Sequence, residues 1–594
     1  MVSSSQPPNP NTRLRFLLRL RVWIGENVKV TELQITLVWA GVIGFAGACV
    51  SVAFRNLSKW LHWAMTQQSG GYVESFEHMP LWQRLAVPAV GGLLAGFTLF
   101  AGTRWRRKAS STDYMEAIVL GNGILSARSS LVKSLSALFS ISSGASIGRE
   151  GPLVQLSAMI ASLVGRWTGM QTMQLRLLVA CGAAAGIASA YNAPIGGALF
   201  VAEIVLQSVA METFGPLVFA SVVATLTVRQ ILGEEPLYVI PPFRLDSNWQ
   251  MLANLLLGLI AGLVAPWFLR GLRGSERLFT RLALPPYLRL GLGGLIVGAL
   301  AMYRPEACGN GYSVVNEILG GNVLWQSLLL LSALKLIATA ATFGSGAVGG
   351  VFTPTLFFGA CLGSIFGLGM HGIWPGADHM PQAFALVGMG ALLAATTHAP
   401  IMAIIMLFEL TLDYQIIMPL MLACVVAHYT CLAFEKKSIY AESLRRKGAA
   451  NFRLQFEGLR VAELMKPDPP SVQENADFRA IAQSFIAHRF NFLYVTDPEG
   501  NFRGVIPLHD IKSYLNEADL GELVVARDLV QDQFPTISPD ATLTEALESF
   551  AHHAGERLPV TVAGHDGKLV GSISKTQLLL ALAESSKADS PQQA

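Results

Sequence analysis

Apolar and charged positions separate into blocks along this chain instead of alternating. Uncharged stretches cover residues 33–54, 85–103, 177–202, 213–228, 247–269, 336–377 and 379–408, histidine not counted. A helix that crosses a bilayer needs about 20 mostly apolar residues, so several of these runs can span one, and the two longest can hold a pair. Gly and Pro recur inside them, which membrane helices tolerate better than soluble ones. The pattern predicts an α-helical polytopic membrane protein. It stops near Phe434.

From about residue 455 to 583 the pattern is that of a soluble α/β sequence, and it repeats. Val461–Leu515 runs VAELM, PSVQENA, an amphipathic FRAIAQSFIAHR, then FLYVTD, the turn PEGN, FRGVIP and a helix from Leu508. Residues 525–583 run in the same order through ARDLV, PTISPDA, TLTEALESFAHH, LPVTVAG, HDGK, LVGSIS and KTQLLLAL. Each unit reads as β-turn-β with flanking helices. The tail, 584–594, is rich in Ser, Lys, Asp and Gln and predicts disorder.

Composition agrees with the blocks. The chain of 594 residues is 52% hydrophobic and 14% charged, against ~25% charged in ordinary soluble proteins. A formal net charge of +3 gives no reason to expect a nucleic-acid partner. Residues 1–30 carry Arg13, Arg15, Arg19, Arg21 and Lys29 among apolar positions and read as a basic amphipathic segment at a cytoplasmic surface. Other basic clusters are 104–108, 270–281 and 445–447, and they mark cytoplasmic loops by the positive-inside tendency. Both termini are then cytoplasmic, and the lipid bilayer is the partner of the membrane part, about 31–445. The six cysteines show no CxxC spacing, so neither a metal site nor a disulfide framework is read.

The membrane part also repeats, over about 31–235 and 250–434. Asn192-Ala193-Pro194-Ile195 is followed by Glu203, and His398-Ala399-Pro400-Ile401 by Glu409, with 11 positions from first residue to Glu in both. GREGP (148–152) and GVFTP (350–354) each follow a Gly/Ser-rich lead-in, SSGASI and GSGAVG. The offsets are 206 and 202 residues. Interrupted apolar segments at matching places in two halves point to a transporter site at the repeat interface. Small residues followed by Pro announce a helix start. A helix start inside the membrane presents unpaired N–H groups and roughly half a positive charge, which suits an anion. No lysine is needed, so the anion can leave again. Glu150, a carboxylate placed at such a start, can occupy the site as a tethered anion and release it on protonation. An ionisable residue inside a membrane is a functional candidate by default.

These residues resemble the CLC family of chloride channels and transporters, prokaryotic type, across about 31–445. GREGP, GVFTP, the NAPIGGALFVAE/HAPIMAIIMLFE pair and Tyr440 in KKSIYAESL carry the resemblance, and the C-terminal units resemble a CBS-domain pair, 455–520 and 521–583. The resemblance implies a homodimer with one chloride path per subunit in the plasma (inner) membrane, and no enzymatic activity. It implies a gate at Glu150 and anion contacts from the amides of Arg149, Glu150, Gly151, Val351 and Phe352 and the Tyr440 hydroxyl. Thr112, in Ser111-Thr112-Asp113-Tyr114-Met115-Glu116, stands where the family has a Gly-Ser-Gly-Ile-Pro stretch; Met115 replaces its Pro and Asp113 adds a negative charge. Exchangers of the family carry a second glutamate immediately after the position of Glu203, and here Ile204 occupies it. Either Glu203 serves the proton path with Glu150 or conduction is uncoupled and channel-like. CBS pairs that hold adenine nucleotides use a Ser/Thr and an Asp three residues on. Here the first unit has Pro507 and Asp510 and the second Ser574 and Gln577, so each keeps half, with a dimerisation module as the other reading.

Two rival classes stand beside this one. Gly144-Ala145-Ser146-Ile147-Gly148 fits the G-x-S-x-G nucleophile elbow of hydrolases, but that elbow needs a soluble sheet and a histidine partner. A CBS-regulated divalent cation transporter needs several carboxylates or carbonyls aimed at one site, whereas these breaks present helix N-termini.

Overall fold

The computed structural model describes residues 32–104, 113–119, 121–233, 237–238, 249–321, 323–373 and 380–440, then 460–467, 469–487, 491–511, 524–532, 534–551, 556–562 and 567–578. The N-terminal segment 1–30, Ser111, Thr112 and the tail 584–594 lie outside them. The chain divides into two compact units, 1–442 and 443–594.

The first unit is helical. Among the described residues, nine helices are long and apolar enough to cross a membrane, and Pro194–Leu206, Pro381–Thr397 and Pro400–Thr411 are shorter apolar helices. With no water in the hydrocarbon, the helix satisfies backbone polar groups within one segment, which is why charge-free runs become helices here. Trp60, Trp82, Phe97, Trp267 and Tyr429 are exposed on their outer faces, where lipid instead of water is the neighbour. Helices approach closely where side chains are small. A β-carbon on Gly92 would come 2.3 Å from the Leu290 carbonyl oxygen, and one on Gly294 2.0 Å from that of Pro88, so helices Leu81–Arg104 and Pro286–Tyr303 meet backbone to backbone. The same holds for Phe352–Ile373 against Met380–Thr397, at Gly359, Gly363 and Gly388.

The two repeats break in the same way. Asn192 and His398 both have φ of 58°, and Gln207 and Leu412 have φ of 53° and 55°. Asn192 and His398 each end one helix so that the Pro after the next Ala can start another, and Gln207 and Leu412 end the helices so begun. Helices Pro194–Leu199, continued by a π-helical Phe200–Leu206, and Pro400–Thr411 result. GREGP and GVFTP open the helices Glu150–Trp167 and Phe352–Ile373. Their prolines fall at the third helical position instead of the first; the whole first turn lacks intrahelical N–H partners, so a missing N–H costs nothing there.

The second unit holds two small sheets. Strands β1 (Ser471–Gln473), β2 (Phe492–Thr496) and β3 (Phe502–Pro507) lie in that order, β1 parallel and β3 antiparallel to β2. Strands β4 (Arg557–Val562) and β5 (Lys568–Ser574) pair antiparallel. PSVQENA supplies β1, which its polar composition hides, and in the second repeat PTISPDA supplies only a bridge, Ile537 to Val560. Phe485, Leu493 and Ile506 anchor one core, and Tyr494, Phe502, Phe550 and Ile573 the other. The β2–β3 turn is set by Asp497, which accepts from the N–H groups of Glu499 and Asn501 (2.9 and 2.8 Å) and from Asn501 Nδ2 (2.9 Å), while Gly500 takes a φ of 86°.

The Asn501 side-chain and backbone donors hold the Asp497 carboxyl below its ordinary value. A carboxyl depressed in the folded state stabilises above its unfolded pKa, ~3.9, and loses that contribution as pH falls through the folded value. Hydrogen exchange on the full chain is therefore expected to show the 497–501 turn loosening only below the usual carboxylate range. Asp497→Asn is expected to exchange faster at neutral pH and to lose this acid response; an unchanged exchange rate in the variant removes the assignment.

Candidate functional site

Gly148 and Gly350 share both hydrogen bonds of an antiparallel bridge. Gly148 N–H donates to the Gly350 carbonyl at 2.7 Å and Gly350 N–H to the Gly148 carbonyl at 3.0 Å. One glycine comes from each repeat, and each lies two residues ahead of a helix that starts inside the bundle, at Glu150 and at Phe352. The bridge therefore fixes two helix N-termini side by side, and their unpaired N–H groups converge on one region.

Glu150 lies there, 2% exposed. Its Oε1 accepts from the backbone N–H of Phe352 at 3.1 Å. Phe352 is the counterpart of Glu150 in the second repeat, by the offset of 202. A carboxylate of one repeat thus caps the helix of the other. Hydroxyls surround this pair. The hydroxyls of Tyr191 and Tyr312 lie 3.1 and 3.3 Å from Thr353 Oγ1, and the Tyr191 ring is 4.7 Å from that of Phe352. Arg149 lays its guanidinium 5.5 Å over the Tyr312 ring and donates to the Ala190 carbonyl at 3.4 Å. Tyr440 meets Phe200 edge to face at 5.3 Å and packs on the cluster that includes Val351. Gly151 lets the two starts approach, since a β-carbon on it would lie 3.0 Å from the Gly349 carbonyl carbon.

Arg149, Glu150, Gly151, Val351, Phe352 and Tyr440 are accordingly gathered around one place. Thr112 falls outside the described residues, but its neighbour Asp113 is buried and caps the short helix Tyr114–Val119, accepting from Met115 N–H at 3.0 Å. Sequence reasoning missed Tyr191, Tyr312 and Thr353. Thr353 stands inside GVFTP and Tyr191 directly before the NAP break, so both adjoin the repeat signals. It also missed the work of Gly148 and Gly350.

Glu203 and Glu409 form a reciprocal pair. Glu203 accepts from Ile401 and Met402 N–H at 3.3 and 2.7 Å, and Glu409 from Ile195 and Gly196 N–H at 2.9 and 2.7 Å. Each carboxylate, at the end of one repeat's broken helix, caps the start of the other's. Ser146, the nominal nucleophile, is hydrogen-bonded to the Thr339 hydroxyl at 2.9 Å, and it follows a helix where the elbow requires a strand. Among the described residues no group of three or more His, Cys, Asp and Glu is placed to hold a metal ion. In the second unit Ser574 caps the turn that follows β5, with Gln577 N–H donating to its Oγ at 3.1 Å and its hydroxyl donating to Gln577 Oε1 at 2.9 Å. Asp510 accepts from Gln531 Nε2 at 2.9 Å.

Residues 91–432, more than half the chain, match the voltage gated chloride channel family, and 461–517 and 526–584 match the CBS domain. A putative chloride channel protein ClcB-like of Ralstonia nicotianae is 52% identical over 419 residues, 70% of this chain and 98% of that protein. The voltage-gated ClC-type chloride channel ClcB of Citrobacter koseri is 40% identical over 409 residues, 68% of this chain and 97% of that one. Among solved structures, a slow cyanobacterial Cl-/H+ antiporter is 26% identical with a TM-score of 0.62, covering 70% of this chain and 98% of that one. A eukaryotic CLC transporter, 18% identical, shares the fold with a TM-score of 0.63 over 92% of this chain and 99% of that one. The chain belongs to the voltage-gated chloride channel (CLC) family and carries a C-terminal CBS pair. Its relatives are transporters, not enzymes, and the hydrolase reading of Ser146 falls with that.

Hydrogen bonds to a charged acceptor contribute about 1.5–3 kcal/mol each. Glu409→Ala should therefore lower the thermal unfolding midpoint in detergent clearly, and Glu409→Gln, which keeps one acceptor, should lower it less. Equal midpoints for all three proteins would show that the cross-repeat caps add nothing.

Proposed function

We propose that the protein moves chloride across the membrane through a path that Glu150 closes. The observation that carries the reading is the Glu150 carboxylate held on the Phe352 N–H at the start of the opposing helix. A carboxylate and a chloride ion are both anions that such a start attracts, so they compete for it. Ionised, Glu150 is a tethered blocker. Protonated, it loses most of its hold on the N–H group, swings aside and leaves the site to a free anion. The backbone amides of Arg149, Glu150, Gly151, Val351 and Phe352, with the hydroxyl of Tyr440, line the path. Amides and hydroxyls bind an anion without a full positive charge, which allows it to leave.

Conduction is not obligatorily exchanged for protons in this reading. Ile204 cannot carry a proton, and both oxygens of Glu203 are taken by the Ile401 and Met402 N–H groups. Glu203 is thereby engaged as a cap on the opposing helix start, and position 204 offers no second carboxylate beside it. The relatives from Ralstonia and Citrobacter are named as chloride channels, which agrees with this; the cyanobacterial neighbour is titled an antiporter, which makes proton exchange the outcome to test against. The subunit works as a homodimer in the plasma membrane with both termini cytoplasmic, a placement that rests on the basic clusters. For the CBS pair the reading is an adenine-nucleotide site using Asp510 and Ser574, and equilibrium dialysis of the full chain with labelled ATP, ADP and AMP tests it. Retention of none of the three leaves a dimerisation module.

The experiment is chloride efflux from proteoliposomes with external pH recorded at the same time. Wild type should release chloride faster as pH falls, without net proton uptake. Glu150→Ala should release it faster than wild type at neutral pH, with no pH dependence. Proton uptake against its gradient, abolished in the variant, would make the protein an exchanger. Absence of chloride efflux from both would overturn the chloride reading.

A further inference from the structure

Gly148 and Gly350 do more than pair the repeats. A β-carbon built on Gly148 would fall 2.0 Å from Glu150 Oε2 and 2.2 Å from Oε1. One built on Gly350 would fall 2.0 Å from Oε1 and 2.4 Å from the carboxyl carbon. For both glycines the three nearest atoms all belong to the Glu150 side chain. Neither residue is among the glycines with positive φ, so the backbone conformation at 148 and 350 is one that alanine adopts. The first atoms a side chain at either position would meet are those of the Glu150 side chain. The bridge that joins them brings both bare Cα positions up to the same carboxylate.

We infer that Gly148 and Gly350 form a seat for one anionic group, with Gly350 as the positioning residue that the second repeat contributes to the gate. The seat admits the Glu150 carboxylate because no β-carbon stands in it at either glycine. A methyl group at either glycine overlaps the carboxylate by more than an ångström relative to ordinary contact, and overpacking of that kind forces the side chain off its rotamer. The side chain that has to move is the gate itself. The seat therefore makes the gating action of Glu150 depend on a residue about 200 positions away that carries no functional group. The inference rests on the reading of Glu150 as gate, and the experiment separates the two.

Chloride efflux at neutral pH is measured for wild type, Glu150→Ala, Gly350→Ala and the double variant. If the seat is the closing position, truncating Glu150 matters only when the carboxylate can reach it. The ratio of the Glu150→Ala rate to its parent should be about tenfold in the wild-type background and fall to roughly one in the Gly350→Ala background, the coupling that contacting residues show. Gly148→Ala should reproduce the collapse from the first repeat. Gly369→Ala serves as control, because a β-carbon there meets nothing within 4 Å, and its ratio should match that of wild type. A ratio that stays the same with Gly350→Ala overturns the seat. No acceleration by Glu150→Ala in the wild-type background overturns the gate reading instead, and the seat with it. If Gly350→Ala alone fails to fold, as judged by size-exclusion profile, the double variant decides: recovery of a monodisperse protein supports the steric conflict with Glu150, and continued failure refutes it.

Discussion

The structure turns on backbone N–H groups that have no partner in their own helix. In hydrocarbon such a group costs several kcal/mol if it stays unpaired, so a chain that starts helices inside a membrane has to bring something negative to each start. This protein does so across its repeats. Glu203 and Glu409 serve the starts at Pro400 and Pro194 reciprocally, and Glu150 serves the start at Phe352. The first two caps follow the symmetry of the repeats. The third breaks it, because the residue that matches Glu150 in the second half is Phe352 itself, which gives an amide and no carboxylate.

That asymmetry separates a fixed lock from a gate. Where both repeats supply a carboxylate and both supply a helix start, the two caps hold each other in place, and each Glu has two N–H donors. Glu150 Oε1 accepts from the Phe352 N–H, while its Oε2 is buried with no hydrogen-bond partner within normal distance, and no carboxylate of the second repeat matches it. A mobile anion fits this arrangement. The same chemistry, carboxylate on amide, thereby gives structure at 203 and 409 and a switch at 150.

Much of this was legible in the chain. Charge-free blocks of spanning length fixed the membrane helices, because the hydrocarbon leaves no other use for them, and the repeated NAP/HAP and GREGP/GVFTP stretches located the breaks. The residues that cap across the repeats were visible, but their partners were not. Ile195, Gly196, Ile401 and Met402 offer only backbone N–H groups, about 200 positions from the carboxylates they meet, and no local pattern encodes such a contact. Tyr191 was hidden in an Ala- and Gly-rich run that reads as apolar throughout. The three-residue β1 was hidden by its polar sequence, since so short a strand is held by its neighbour β2 and not by its own alternation. Gly-Ala-Ser-Ile-Gly shows the opposite failure: a short motif present in sequence whose strand context the fold does not supply.

The central claim is that one anionic group at a time occupies the paired helix starts, Glu150 or a mobile ion. Linkage between proton and anion binding tests it most directly. Chloride binding to the purified protein, measured by calorimetry in buffers of different ionisation enthalpy, should strengthen as pH falls and should take up protons as chloride binds. Chloride affinity that does not change with pH, with no proton uptake, would contradict the account.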